Sequence, residues 1–333
     1  TMILDGTLES SVQAAVAALA RGELLGLPTE TVYGLAANAD DEAAVARIFS
    51  TKGRPANHPL IVHVASPEGV AHYAREVPGF AQRLIDAFWP GPLTLILPRR
   101  DGVARAAAGG QESIGLRCPS HPVARRVLAA CAAHEPPLHG LAAPSANRFG
   151  RVSPTTAAHV REEFGEALLV LDGGACAVGI ESTIVDCTRG QPVLLRPGVL
   201  DPVDLARACG QRILSKEELS AHTPRASGTL LAHYAPKATL RLMSARELQA
   251  GLNVLGDDAV HVAVYARSRL RLPTPRMPFV QMPEAPADAA HELFAQLRAF
   301  DERGARLIWV EVPPEDPSWD GVRDRLQRAA AAG

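Results

Sequence analysis

The order of its hydrophobic periods constrains this chain most. Helix-length stretches with an apolar stripe alternate with short apolar runs of strand length, but several runs follow one another with no helix between them. The periodicity predicts helices over Ser11–Arg21, Asp41–Phe49, Glu68–Arg75, Phe80–Phe88, Pro122–Cys131, Thr155–Phe164 and Asp201–Cys209. It predicts strands over Glu23–Leu27, Leu60–Val64, Leu93–Leu97, Ser113–Arg117, Leu138–Ala142, Leu168–Leu171, Thr183–Cys187 and Val193–Leu195. This mixed order, with adjacent strands that have no helix between them, reads as an α/β domain with a mixed sheet. Gly22 is a stop signal for the first helix, and Asp40 or Asp41 is an N-cap candidate for the second.

After Cys209 the pattern breaks. Ser215–Pro236 lacks a sustained apolar period and carries Pro224, Gly228 and Pro236, which reads as a long linker. A new alternation starts at Ala238: strand Thr239–Met243, helix Ala245–Leu252, strands Val260–Tyr265 and Phe279–Met282, helix Asp288–Arg303, strand Leu307–Val312, helix Val322–Ala331. That is a small α/β unit with a largely parallel sheet. The expected division is residues 1–210, a linker or lid at 211–237, and a second domain at 238–333. A length of 333 residues suits two domains.

Bulk properties exclude several classes. A net charge of −2 argues against a strongly basic, whole-surface nucleic-acid binder, but leaves room for a local basic patch. The five cysteines form no C-x-x-C pair, which gives neither a zinc site nor a disulfide framework and fits a reducing interior. No run approaches a membrane span and no basic leader precedes an apolar core, so a cytoplasmic location is expected. Phosphate-loop, dinucleotide, nucleophile-elbow and zinc-protease signatures are all missing.

What remains is a series of polar clusters at predicted strand ends, where open α/β sheets place ligands. Pro28-Thr29-Glu30-Thr31-Val32-Tyr33-Gly34-Leu35 alone reads as a strand-ending turn capped by Thr. Lys52-Gly53-Arg54-Pro55 closes a helix and leads through Asn57-His58-Pro59 into a strand that holds His63. Lys and Arg one residue apart can converge on one anion, or complement a helix dipole. Lys52 is one of only three lysines among 34 basic residues; chance and a required compact ammonium both remain open. Arg117 ends the apolar strand of Ser113-Ile114-Gly115-Leu116-Arg117, where a charge needs a partner or a ligand. Pro144-Ser145-Ala146-Asn147, Glu181-Ser182-Thr183 and Arg196-Pro197-Gly198 complete a potential polar cradle. Leu230, Leu231 and Tyr234 are apolar for a free linker, so the segment through His233-Tyr234-Ala235-Pro236 should dock, and with Gly228 as a hinge it could serve as a lid.

In this order, the motifs P-T-E-T-V-Y-G-L, K-G-R-P, P-L-I-V-H, S-I-G-L-R, P-S-A-N, E-S-T-I-V-D and R-P-G resemble the YrdC-like domain of threonylcarbamoyl-AMP synthases. The H-Y-A-P linker and small second domain resemble the long form of that family. The resemblance implies a twisted mixed-sheet catalytic domain, a linker and a Rossmann-like C-terminal α/β domain. It implies synthesis of threonylcarbamoyl-adenylate from L-threonine, bicarbonate and ATP, with Mg2+ carried by the triphosphate and no tightly held metal. A downstream tRNA threonylcarbamoyl transferase complex is the implied partner, with weak tRNA contact open and no membrane. The implied threonine side is Thr31, His63, Arg117, Ala143 and Ser182. The implied ATP side is Lys52, Arg54, His58, Ser113, Ser145, Asn147, Ser153, Arg196, His233 and Tyr234, with Lys52 and Arg54 as charge-stabilising catalytic residues. Whether Asn57 or His58 faces ATP stays open. Rival readings are a non-catalytic RNA binder, the carbamoyl-transfer machinery of hydrogenase maturation, whose zinc-finger cysteines are lacking here, and a plain structural α/β protein.

Overall fold

The structure is a computed structural model that describes residues 2–218 and 224–333. Residues 219–223, within the expected linker, lie outside the described residues. The chain divides into two compact units, Thr1–Phe149 with Ser153–Thr229, and Gly150–Val152 with Leu230–Gly333.

In chain order the first unit contains β1 (Ile3–Asp5), α1 (Glu9–Ala20), β2 (Leu25–Leu27), β3 (Gly34–Asn38), α2 (Glu42–Lys52), β4 (Ile61–His63), α3 (Val70–Tyr73), α4 (Gly79–Phe88) and β5 (Leu93–Pro98). It continues through β6 (Ser113–Arg117), α5 (Pro122–Ala133), β7 (Leu141–Ala142), α6 (Ala157–Phe164), β8 (Leu169–Asp172), β9 (Thr183–Asp186), β10 (Val193–Arg196), α7 (Pro202–Cys209) and β11 (Leu214–Ser215). The sheet runs β1-β8-β2-β3-β7-β4-β6-β5-β9-β10-β11 and mixes parallel with antiparallel pairs.

A central strand can feed two cores because successive side chains point to opposite faces. On β3, Leu35 and Ala37 join the core that holds Ile48 of α2 and Leu84 of α4, while Ala36 joins the core that holds Val16 of α1 and Val127 of α5. β3 was not anticipated from the sequence. Its Gly-Leu-Ala-Ala-Asn run lacks β-branched residues, and it is a strand because β2 and β7 pair with it on both sides. Space is tight at Gly34, where a Cβ would stand 3.0 Å from the Ala143 methyl.

Local signals set the helix ends. Asp41 caps α2, its carboxylate accepting from the backbone of Ala43 and Ala44 at 3.0 and 3.1 Å. Gly53 ends the same helix in the left-handed conformation, φ 69°. The stretch expected as one helix at Glu68–Arg75 is instead a 3-10 turn, Pro67–Gly69, followed by the four-residue α3. The strand expected over Leu138–Ala142 shrinks to β7, and Leu214–Ser215, partly in the expected linker, pairs with β10.

The second unit contains β12 (Thr239–Met243), α8 (Ala245–Val254), β13 (Val262–Ala266), β14 (Phe279–Gln281), α9 (Pro286–Glu302), β15 (Leu307–Glu311) and α10 (Asp320–Ala331). Its sheet is all parallel in the order β12-β15-β13-β14, so the last strand inserts between the first two. A Ser244–Glu247 capping box starts α8. No helix of the described residues is long and apolar enough to cross a membrane.

Because α2 delivers Lys52, its cap can be tested apart from the chemistry. Replacing Asp41 with Ala should cost about 1 kcal/mol, seen as a lower urea midpoint for the first unit.

Candidate functional site

Arg117, at the end of β6, organises one half of the site. Its guanidinium pairs with the Glu30 carboxylate, donates to Thr31 Oγ1 at 2.9 Å and reaches the Gly91 carbonyl at 3.3 Å. Glu30 also accepts from the Ser120 backbone and hydroxyl at 2.9 and 2.7 Å. Burial pushes the Glu30 carboxyl upward, but Arg117 and Ser120 outweigh it and hold the group below the usual carboxylate range. In sheet order, β2 and β6 are four strand spacings apart, about 19 Å on a flat sheet at ~4.8 Å each. The ion pair and the Thr31 contact nonetheless join the loop after β2 to the end of β6.

His63 stands in register beside Arg117 on the paired strand. It is 3% exposed, and its Nδ1 has no hydrogen-bond partner among the described residues. Burial first, then Arg117, lowers its pKa to about 3, so the ring is neutral and offers an acceptor.

Across the sheet, Ser182 and Thr94 share a hydroxyl contact of 2.7 Å. Arg196 donates from Nε to the Ser182 carbonyl at 2.9 Å and from Nη2 to its hydroxyl at 3.2 Å. Nη1 of Arg196 reaches the Ser227 carbonyl at 3.2 Å, and Arg54 reaches the Ser227 hydroxyl at 3.4 Å and the Pro59 carbonyl at 2.7 Å. Arg54 also lies over the Phe149 ring at 5.9 Å, with His58 5.5 Å from the same ring.

Lys52 is 3% exposed and donates to the carbonyls of Ser145 and Asn147 at 2.6 and 2.5 Å. An ammonium has three donors, so one remains for a ligand. Burial and Arg54 hold its pKa well below the usual lysine value, against the pull of Glu163 and Glu181. Glu181 accepts from the Ser153 hydroxyl. Ala143 is anchored through its N–H to the Ile61 carbonyl at 3.1 Å. Ser113 lines a small cavity with Thr94, Gly115, Arg225 and Ser227.

Thus Thr31 and Arg117, with His63 beside them, form one group; Ser182, Arg196 and Arg54 form a second joined by Ser227; Lys52, Ser145 and Asn147 form a third. His233 and Tyr234 belong to the second unit, where their rings stack at 4.0 Å. Tyr234 is 1% exposed, between Phe294 at 5.6 Å and Arg325 at 5.5 Å. Sequence reasoning left out Glu30, Thr94 and Ser227. Thr94 was detectable as the one hydroxyl inside an apolar strand; Ser227 carried no comparable signal.

The neutral state of His63 gives a pH test. Below about pH 6.5 an unfolded histidine takes up a proton, whereas the folded ring stays neutral to about pH 3. The unfolded state then binds more protons, so His63 removes stability as pH falls through that window, by up to about 1.4 kcal/mol per pH unit. Urea midpoints from pH 7 to 4.5 should fall less steeply for His63→Gln than for the parent.

Comparison with known proteins identifies the family. Residues 17–198 match the Sua5, YciO and YrdC family, described as Telomere recombination, and residues 200–331 match the Threonylcarbamoyl-AMP synthase, C-terminal domain. The threonylcarbamoyl-AMP synthase of Pyrococcus abyssi is 36% identical, covering 97% of this chain and 94% of its own. That of Bacillus subtilis is 34% identical over the same shares. A crystal structure of P. abyssi Sua5 complexed with L-threonine superposes with a TM-score of 0.87 at 35% identity, covering 99% of this chain and 98% of that one. The chain belongs to the threonylcarbamoyl-AMP synthase family, in its two-domain form.

Proposed function

We propose that the protein condenses L-threonine, bicarbonate and ATP into threonylcarbamoyl-AMP with release of pyrophosphate, for threonylcarbamoylation of the tRNA adenosine 3′ of the anticodon. The observation that carries this reading is the gathering of three buried cations: Arg54 and Arg196 both reach Ser227, and Lys52 lies two residues from Arg54. Buried cations gathered beside backbone carbonyls and hydroxyls suit a polyanionic ligand.

In this reading the threonine amine and bicarbonate lose water to give an N-carboxylate. That carboxylate oxygen attacks the α-phosphorus, and the bond to the bridging oxygen breaks as pyrophosphate leaves. The nucleophile is already anionic, so no activated serine or cysteine is needed, and catalysis rests on positioning and charge stabilisation. Arg117 and Thr31 hold threonine, Ala143 offers backbone contact, Ser182 orients it, and the neutral His63 accepts a hydrogen bond. Ser113, Ser145, Asn147, Ser153 and His58 line the nucleotide side. Arrival of the triphosphate favours the charged form of Lys52. Among the described residues, no three acidic, histidine or cysteine side chains gather as a metal site. In this reading Mg2+ would come with the triphosphate and would supply charge neutralisation for the pyrophosphate.

Residues 1–210 would form the catalytic domain, 211–237 a linker that carries His233 and Tyr234 toward ATP, and 238–333 the C-terminal domain. A cytoplasmic setting supplies ATP, tRNA and the transferase complex that consumes the adenylate.

The decisive measurement is pyrophosphate release with each substrate omitted in turn, with mass analysis of the nucleotide. Release should require both threonine and bicarbonate; release with threonine alone would make this an ordinary amino-acid adenylating enzyme. Lys52→Ala should lower turnover roughly 10²–10³-fold, the usual cost of one preorganised electrostatic group. A near-normal kcat would remove Lys52 from the chemistry.

A further inference from the structure

The second unit has an unusual connection. β13 and β14 are parallel neighbours, yet residues 267–278 join them without a helix. Parallel crossovers usually carry a helix, and irregular loops longer than about 12–15 residues are uncommon inside compact domains, so this one stands at that limit.

This loop is built, not loose. The Gln249 side chain bonds the backbone of Arg271 on both sides, at 2.8 and 3.0 Å. The Glu311 carboxylate accepts from the Arg267 and Ser268 backbone at 3.0 and 2.9 Å and from the Ser268 hydroxyl at 2.6 Å. Leu270, Leu272 and Met277 pack into the core beside Leu248 and Val264. Arg269, Arg271 and Arg276 are exposed between them. The run Arg269-Leu270-Arg271-Leu272 therefore alternates, leucines inward and arginines outward, as an extended segment does.

Those arginines have no structural use. The side chains of Arg269, Arg271 and Arg276 make no ion pair or hydrogen bond with the described residues. From Ala259 to Pro283 the chain holds no Asp or Glu. Packing alone could have been satisfied with neutral or mixed charges, and three uncompensated cations on one ordered loop repel one another. Arginine's planar fork matches phosphate oxygens. Arg269 and Arg271 point the same way about 6–7 Å apart at ~3.3 Å per residue, a spacing on the scale of successive phosphates along one strand.

We propose that the 267–278 loop is an RNA-docking surface, with Arg269, Arg271 and Arg276 as its phosphate contacts. Only the identity of the RNA, a tRNA, rests on the functional reading above. A row of forks along an extended backbone suits a repeating phosphate chain better than a single small anion or a scattered acidic protein face.

The test is binding of a labelled, unmodified tRNA transcript to the full chain over a salt series. The parent should bind with a salt slope that becomes less steep by about 2–3 in R269Q/R271Q/R276Q, roughly one phosphate contact per arginine. Affinity at low salt should fall at least about tenfold for the loss of several such contacts. R269K/R271K/R276K should keep most of the slope, which shows that the loop still folds. The control R303Q/R306Q, on exposed arginines elsewhere in the unit, should stay within about twofold. An unchanged slope in the triple Gln variant, an equal loss in the control, or equal competition by polyglutamate at matched charge would overturn the proposal. Pyrophosphate release should stay unchanged in the triple variant. Parent protein that binds tRNA in this way yet makes no adenylate would leave the docking surface standing and remove the functional reading.

Discussion

The contact of Arg117 with Glu30 and Thr31 is the constraint on which the rest of the first unit depends. An isolated guanidinium or carboxylate at this depth would be prohibitively costly, so each requires the other and the surrounding hydrogen bonds. Those bonds come from Thr31, Gly91 and Ser120, which belong to different parts of the chain. Satisfying the pair therefore holds the loop after β2 against the end of β6. The register of β4 with β6 then sets His63 beside Arg117.

Charge is arranged with equal economy on the other side. Lys52 sits on two carbonyls at the end of a capped helix, and Arg54 follows a left-handed glycine that reverses the chain. Both cations are buried, and Glu163 and Glu181 act on Lys52 against the effect of burial and of Arg54. Thr94 contributes indirectly by engaging the Ser182 hydroxyl that Arg196 also contacts.

Much of this was legible in the chain. Asp41, Gly53, Asp201 and Gly210 mark helix ends by local chemistry, and those boundaries were anticipated to within a few residues. Apolar runs such as Leu93–Leu97 identified central strands. β3, β1 and β11 were not legible: one is rich in Ala and Gly, the others are two- or three-residue edges, and all are strands only because a neighbour supplies the ladder. Arg117 was recognised as needing a partner, but Glu30 could not be named as that partner from spacing alone.

The sequence by itself determined the α/β class, the mixed sheet, the break before a second unit and the family, because these follow from local periodicity and from ordered motifs. Only the tertiary structure decided which polar residues meet. It paired Arg117 with Glu30, gave Ser227 to Arg54 and Arg196, buried Tyr234 against Phe294, and left the side chains of Arg269, Arg271 and Arg276 outward without partners among the described residues. The physical reason is that a buried charge is compensated by groups distant in sequence, which the strand order of the sheet brings together and local propensity does not encode.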